Sequence, residues 1–337
     1  MTRPGETGAG RRADPRVGAK YSPGRYRLVD LCTQGYLGLV AGLALVVRGE
    51  HWVGLVGFHL AALAGVHLLT RLDHRKAGAT GNHSAPAWRR GLSWLRELYP
   101  LLLCLGLYVE IETVNRMLVF PRLDPWLMRA DHALFGFQPA EAFPVAMAQP
   151  IFSEFMHVSY FSFHAMIGGI GLWLAAHNQA ACRHFIAVVS LMFYACYTIF
   201  LFAPAWGPRV WSADTPERTW FVAQYGRAPR EVPEATTRLP GHRALTFVEE
   251  HGEIAGAAFP SSHVAVALGT AWVAWRYFRR MRWLYAFCAL TILFSTVYTR
   301  AHYAVDVFGG LMAAAVLLPA AQALYARTDG RRQTARS

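Results

Sequence analysis

Eight apolar segments of membrane-spanning length dominate the chain, at about 30–48, 52–71, 97–117, 152–176, 184–204, 261–278, 283–299 and 303–325. A span needs about 20 mostly apolar residues to cross the hydrocarbon core. Inside lipid, every backbone polar group must find its partner within the segment, which leaves helices as the structure for such blocks. Hydrophobic residues make up 54% of the 337 residues and charged residues 16%. The expected fold is therefore all-α, a polytopic membrane helix bundle. The third segment is the most polar of the eight, because Glu97, Glu110 and Glu112 crowd it.

A net charge of +12 raises nucleic acid as a partner, so the placement of the charge has to decide. Arg3, Arg11, Arg12, Arg16, Lys20 and Arg25 precede the first span, and Arg71, Arg75, Lys76, Arg89 and Arg90 fall between the second and third. Arg279, Arg280 and Arg282 join the sixth to the seventh, and Arg327, Arg331, Arg332 and Arg336 form the tail. With eight spans all four clusters share one side, which the positive-inside rule makes cytoplasmic. The expectation is an integral protein of the plasma (inner) membrane with both termini in the cytoplasm. The basic balance is thus topology, and no basic stripe with interleaved aromatics supports nucleic-acid binding. Cys32, Cys104, Cys182, Cys196 and Cys288 all fall in or beside spans, without zinc spacing or a disulfide framework, and read as buried thiols.

Residues 1–25 are rich in Gly, Arg and Pro without periodicity and read as a disordered cytoplasmic leader. Residues 26–94 read as an accessory transmembrane hairpin and linker, with Gly38 and Gly42 at close-packing spacing, and 95–326 as a catalytic core. Residues 327–337 form a basic cytoplasmic tail. Residues 121–150 mix apolar side chains, charges and prolines in the manner of short interfacial helices. The 205–260 stretch, broken by Pro216, Pro229, Pro233 and Pro240, reads as a lid or substrate-selecting loop.

Two histidine motifs carry the chemistry. Phe259-Pro260-Ser261-Ser262-His263 opens the sixth span, and Tyr298-Thr299-Arg300-Ala301-His302-Tyr303-Ala304-Val305-Asp306 joins the seventh to the eighth. Both fall on the extracytoplasmic side of the same count. A helix would put His302 and Asp306 on one face, where the carboxylate can orient and charge the imidazole. Ser261, Ser262 and the adjacent helix N-terminus form an anion cradle. Phosphoryl transfer needs a nucleophile, a proton donor and positive groups around the phosphoryl oxygens. His302 can serve as nucleophile and His263 as general acid and base, with Arg209 and Arg300 as guanidinium clamps.

Pro260-Ser261-Ser262-His263 resembles the P-S-G-H motif of the type-2 phosphatidic acid phosphatase superfamily, and Ser295 to Asp306 resembles its S-R-x5-H-x3-D motif, with His302 and Asp306 in register. The resemblance implies a six-helix phosphatase-type core, here behind an N-terminal two-helix hairpin. It also implies a phosphohistidine on His302, His263 as acid, Asp306 as orienting carboxylate, and no metal or other cofactor. Thr296 stands where the family has arginine, Ser262 replaces the glycine, and the K-x6-R-P motif is missing. The short H-Y-x-x-D motif and the Gly207-Pro208-Arg209 turn are closer to the inositol phosphorylceramide synthase-like branch. The implied substrate is a lipid phosphate. Water as acceptor makes a phosphatase; an inositol, sugar or lipid hydroxyl makes an inositolphosphotransferase-like phosphotransferase. A lipid-phosphate carrier without catalysis is the rival from another class. A vanadate-dependent haloperoxidase ranks lower, since such a site wants a lysine and Lys20 and Lys76 are both in cytoplasmic segments.

Other polar residues have simpler expectations. Glu154, His157 and Tyr160 share a helix face and should look into the bundle. Glu112 and Arg116 should pair at four-residue spacing, leaving Glu110 over, and His59 and His67 read as packing histidines. Glu249, Glu250, His251 and Glu253 read as a solvated loop face.

Overall fold

The computed structural model describes residues 26–74, 87–251 and 254–330. The leader, part of the 72–94 linker and most of the basic tail lie outside the described residues. Among the described residues the structure is helical, with a single isolated bridge between Ala205 and Ala257. Six of the described helices are long and apolar enough to cross a membrane. They are α1 (Leu28–Val47), α2 (Trp52–His74), α3 (Ala87–Val109), α7 (Pro150–His177), α8 (Gln179–Phe202) and α14 (Ala304–Tyr325).

The other two expected spans also fold as helices, but α12 (Ser262–Tyr277) has 16 residues and α13 (Arg282–Tyr298) has 17. At about 1.5 Å per residue both fall short of a hydrocarbon core about 30 Å thick. Both end at the histidine motifs. The third span also differs from expectation: its apolar stretch is Gly91–Val109, and Ile111–Leu118 forms a separate helix, α4. The break is at Glu110, whose carboxylate meets buried His59 at 3.1 Å. Glu112 pairs with Arg116 and accepts from Ala255 N–H at 3.3 Å. A continuous apolar helix would have offered these carboxylates no partner.

Helix α12 is the hub and packs against α7, α8, α13 and α14. Small buried residues, among them Ala265, Ala267, Gly269 and Ala274, let its neighbours approach. A Cβ on Gly310 of α14 would stand 2.6 Å from the Ser261 carbonyl, so the two helices carrying the histidine motifs meet where no larger side chain fits. The first hairpin packs through α1 on α8. Gly38 and Gly42 do not serve that contact, because a Cβ at either would meet nothing within 4 Å. Buried apolar residues of α1, among them Leu37, Val40 and Ala44, make that contact, and charge ties α1 to α3. Buried Asp30 accepts from Arg96 at 2.8 and 2.5 Å, from Tyr99 Oη at 2.5 Å and from Arg27 N–H at 2.7 Å. Glu97 binds Arg27 at 2.8 and 3.0 Å.

The two polar segments fold into short helices. Residues 121–150 hold α5 (Asp124–Phe135) and α6 (Pro139–Ala146). The 205–260 stretch holds a 3-10 turn (Pro208–Ser212), α9 (Pro216–Tyr225), α10 (Glu234–Thr237) and α11 (Pro240–His251). Proline at the first helical position lacks only an N–H that would go unused there, so Pro216 and Pro240 start α9 and α11 instead of ending them.

Candidate active site

The two histidine motifs meet. His263 is the second residue of α12, and His302 lies in the turn between α13 and α14. His302 is therefore not on a shared helical face with Asp306: α14 begins at Ala304, and Asp306 Oδ2 caps it by accepting from Tyr303 N–H at 2.8 Å. Arg300 adopts a left-handed backbone (φ 62°), the conformation that usually closes a helix C-terminus with glycine. Its N–H reaches Val297 O at 3.1 Å, and His302 N–H reaches Thr296 O at 3.1 Å. This tight turn aims the imidazole inward, with 2% of the residue exposed.

The hydrogen bonds decide the tautomers. His302 Nδ1 is 2.8 Å from the carbonyl of Ala258, which can only accept, so Nδ1 carries the proton. In the neutral ring Nε2 then holds a lone pair, aimed at His263 Nδ1 3.3 Å away. His263 Nδ1 is accordingly the donor in that contact. Burial pushes the His302 imidazole down to about 3, opposed by the Ala258 bond and assisted by the Arg209 charge, so the ring is neutral. Asp306 Oδ2 stands 3.5 Å from Nδ1, close enough to feel a charge on the ring but displaced from the hydrogen bond by the carbonyl. The His263 ring stacks on Tyr160, centroids 5.0 Å apart, and packs on Phe163 at 4.5 Å.

Ser261 caps α12 and its Oγ accepts from Val264 N–H at 3.3 Å, while Ser262 is buried beside it. Arg209 and Arg300 line a common chamber of about 270 Å³ with Thr299, His157, His242 and Glu249. Arg209 donates to Ile254 O, and Arg300 Nη2 donates to Arg230 O at 2.7 Å. Burial lowers the Arg300 guanidinium and raises the Glu249 carboxyl. Glu249 thus faces the chamber and not bulk water; Glu250 is exposed, and the side chains of His251 and Glu253 lie outside the described residues. A second cavity, of about 580 Å³ and largely apolar, runs between α3, α7 and α8 and ends at Ser262 and His263. Leu101, Leu105, Ile167 and Phe193 line it, with His164 among its few polar residues.

Sequence reasoning missed two carboxylates of α5. Asp124 accepts from Trp206 N–H at 3.0 Å, Gly207 N–H at 2.9 Å and Tyr303 Oη at 3.2 Å. Asp131 accepts from Ala304 N–H at 3.0 Å and Val305 N–H at 2.8 Å. Their seven-residue spacing, two helical turns inside an amphipathic segment, was the available signal. Gly207 itself is required twice over, by φ 85° and by the 2.6 Å that would separate its Cβ from the Ala301 carbonyl. Gly207→Ala is expected to cost about 1–3 kcal/mol of stability, read as a lower thermal midpoint in detergent. An unchanged midpoint would mean the two turns can part freely.

A helical bundle that buries a histidine pair, with an apolar groove ending at His263 and a separate chamber carrying Arg209 and Arg300, defines a class of membrane protein whose site can address an amphiphile. A family model described as the PAP2 superfamily matches residues 125–320, and the chain belongs to that superfamily. Membership points to a phosphatase-type enzyme. Comparison with curated proteins and with solved structures gave no match.

Proposed function

We propose that the chain is a lipid-phosphate phosphatase or phosphotransferase working through a phosphohistidine on His302, with its site on the extracytoplasmic face. The observation that carries this reading is the 3.3 Å contact between His302 Nε2 and His263 Nδ1, with His302 Nδ1 committed to a carbonyl. That arrangement supplies a lone pair and a proton side by side. The substrate's phosphoryl group parts the rings and its negative charge holds His263 as the imidazolium: Nε2 of His302 forms a bond to phosphorus, the P–O bond to the lipid alcohol breaks, and the Nδ1 proton of that imidazolium passes to the leaving oxygen, leaving His263 neutral. His263 then takes a proton from water or an acceptor hydroxyl as the new O–P bond forms and the N–P bond breaks. Phosphorylated on Nε2 and still protonated on Nδ1, the His302 ring is a cation, and Asp306 at 3.5 Å compensates it. Arg209 and Arg300 serve the nonbridging oxygens, and Ser261 and Ser262 shape the helix start that faces them. The catalytic core is 95–326, with the basic segments cytoplasmic.

The groove that ends at His263 suits the hydrocarbon part of the substrate and so favours a lipid alcohol as leaving group. Gly168 lines that groove and has open space around its Cβ position. Gly168→Phe is expected to raise KM for a long-chain lipid phosphate about tenfold, a penalty of about 1.4 kcal/mol, and to leave a short-chain water-soluble phosphate ester unaffected. Equal loss on both would place the tail elsewhere.

The deciding experiment incubates purified protein with 32P-labelled lipid phosphates, with and without inositol, sugar or lipid hydroxyl acceptors. Free phosphate and new phospholipid are followed, and a quench traps acid-labile, base-stable labelled protein. Turnover with such label on His302 is the expected result. Turnover without label on any residue, or no turnover across the panel, would sink the scheme.

A further inference from the structure

We propose that Asp124 and Asp131 are positioning residues, a two-point staple on α5 that holds the Arg209 turn and the His302 turn in register. The inference rests on the reading that Arg209 and His302 act on one phosphoryl group. Neither carboxylate touches the histidine pair, yet between them they bind backbone in the turn before Arg209 and in the segment just after His302. Asp124 takes the N–H groups of Trp206 and Gly207, three and two residues before Arg209, and the hydroxyl of Tyr303, next to His302. Asp131 takes the first two N–H groups of α14, just beyond His302. Both are buried with no exposed surface, and Leu123 N–H adds a 2.9 Å bond to Pro204 O at the start of the same turn. The 204–209 turn is tied in addition to the segment before His263, through Ala258 N–H to Ala205 O at 2.9 Å. Directly between the two turns, Gly207 and Ala301 make a close contact that resists compression but not separation, with the Trp211 ring against Tyr303 beside it.

Burial pushes both carboxyls up to about 6. The groups facing them are Glu217 and Tyr225 of α9, Glu217 being paired with Arg122, and Tyr303 and Asp306 at the start of α14. A carboxyl whose folded value lies above its unfolded one binds its proton more tightly when folded. Acidification through about 6 therefore does not withdraw stability at these two positions. It does remove acceptor capacity. A staple consequently gives a fall in kcat below about pH 6 in protein that stays folded.

The test compares wild type with Asp124→Asn, Asp131→Asn and Asp131→Ala, purified in detergent. Measured for each are kcat, KM, the thermal midpoint, the pH profile of kcat, and protection of the midpoint by vanadate and by inorganic phosphate. Expected are a 10- to 100-fold lower kcat in Asp131→Ala, partial rescue in the isosteric Asp131→Asn, and KM within threefold of wild type. The acid limb should move in both Asn variants, and protection by five-coordinate vanadate should fall more than protection by phosphate. Folded Asn variants with wild-type kcat, an unmoved acid limb and undiminished vanadate protection would overturn the staple. If Asp131→Ala does not fold, the two Asn variants decide alone. Absence of turnover in wild type would instead refute the phosphoryl-transfer reading, and the vanadate comparison would still report on the staple.

Discussion

His302→Ala loses about 10⁴-fold or more in turnover, and no labelled phosphoprotein accumulates, while lipid-phosphate binding stays within a few-fold of wild type. The size follows from the role: removing a nucleophile that acts in concert with its acid leaves only positioning and electrostatic contributions behind. His263→Ala falls less, by about 10² to 10⁴-fold, the usual worth of a positioned proton donor. The deficit of His263→Ala should shrink on an ester whose leaving group needs no protonation, and that of His302→Ala should not. This asymmetry separates the two roles, which the near-symmetric His–His contact by itself does not do. It also separates an enzyme from a carrier, for which loss of His302 would reduce lipid movement only as far as it reduced binding. Full turnover in His302→Ala would remove the basis of the mechanism.

The second large effect is structural and far from the histidines. Asp30→Ala removes the carboxylate that holds Arg96, which is 3% exposed, and the acceptor used by Tyr99. Breaking a buried pair by deleting one partner costs about 3–5 kcal/mol, because the remaining charge loses its bonded carboxylate without gaining water. The double variant Asp30→Leu with Arg96→Met removes both charges and should recover most of that loss. Thermal midpoints and monodispersity in detergent check this. A single variant as stable as wild type would show that the network contributes little to holding α1 on α3 and α8. Gly38 and Gly42 cannot substitute, since a Cβ at either would meet nothing within 4 Å.

Much of this molecule is legible locally. Apolar blocks of spanning length specify helices because lipid offers the backbone no other partner, and the described residues are helical at every one of the eight segments. Pro260-Ser261-Ser262-His263 and the His302 motif were visible as sequence, as was Ser261 as a helix cap. Pairings between distant residues were harder. The third span stops at Glu110, whose carboxylate meets His59, 51 residues upstream. Glu249 looked solvated until α11 folded over the chamber.

At the site, composition and spacing determined which residue types were present and which helix ends carried them. Only the tertiary structure decided that His302 meets His263, 39 residues away, and that the Ala258 carbonyl holds Nδ1 where the carboxylate four residues on was expected. It alone decided that two aspartates of α5 grip the turns on either side. The physical reason is range. Hydrophobicity and helical period act over one or two turns of chain, whereas a tautomer, a buried charge or a cavity depends on whichever atoms the packed bundle brings within about 3 Å.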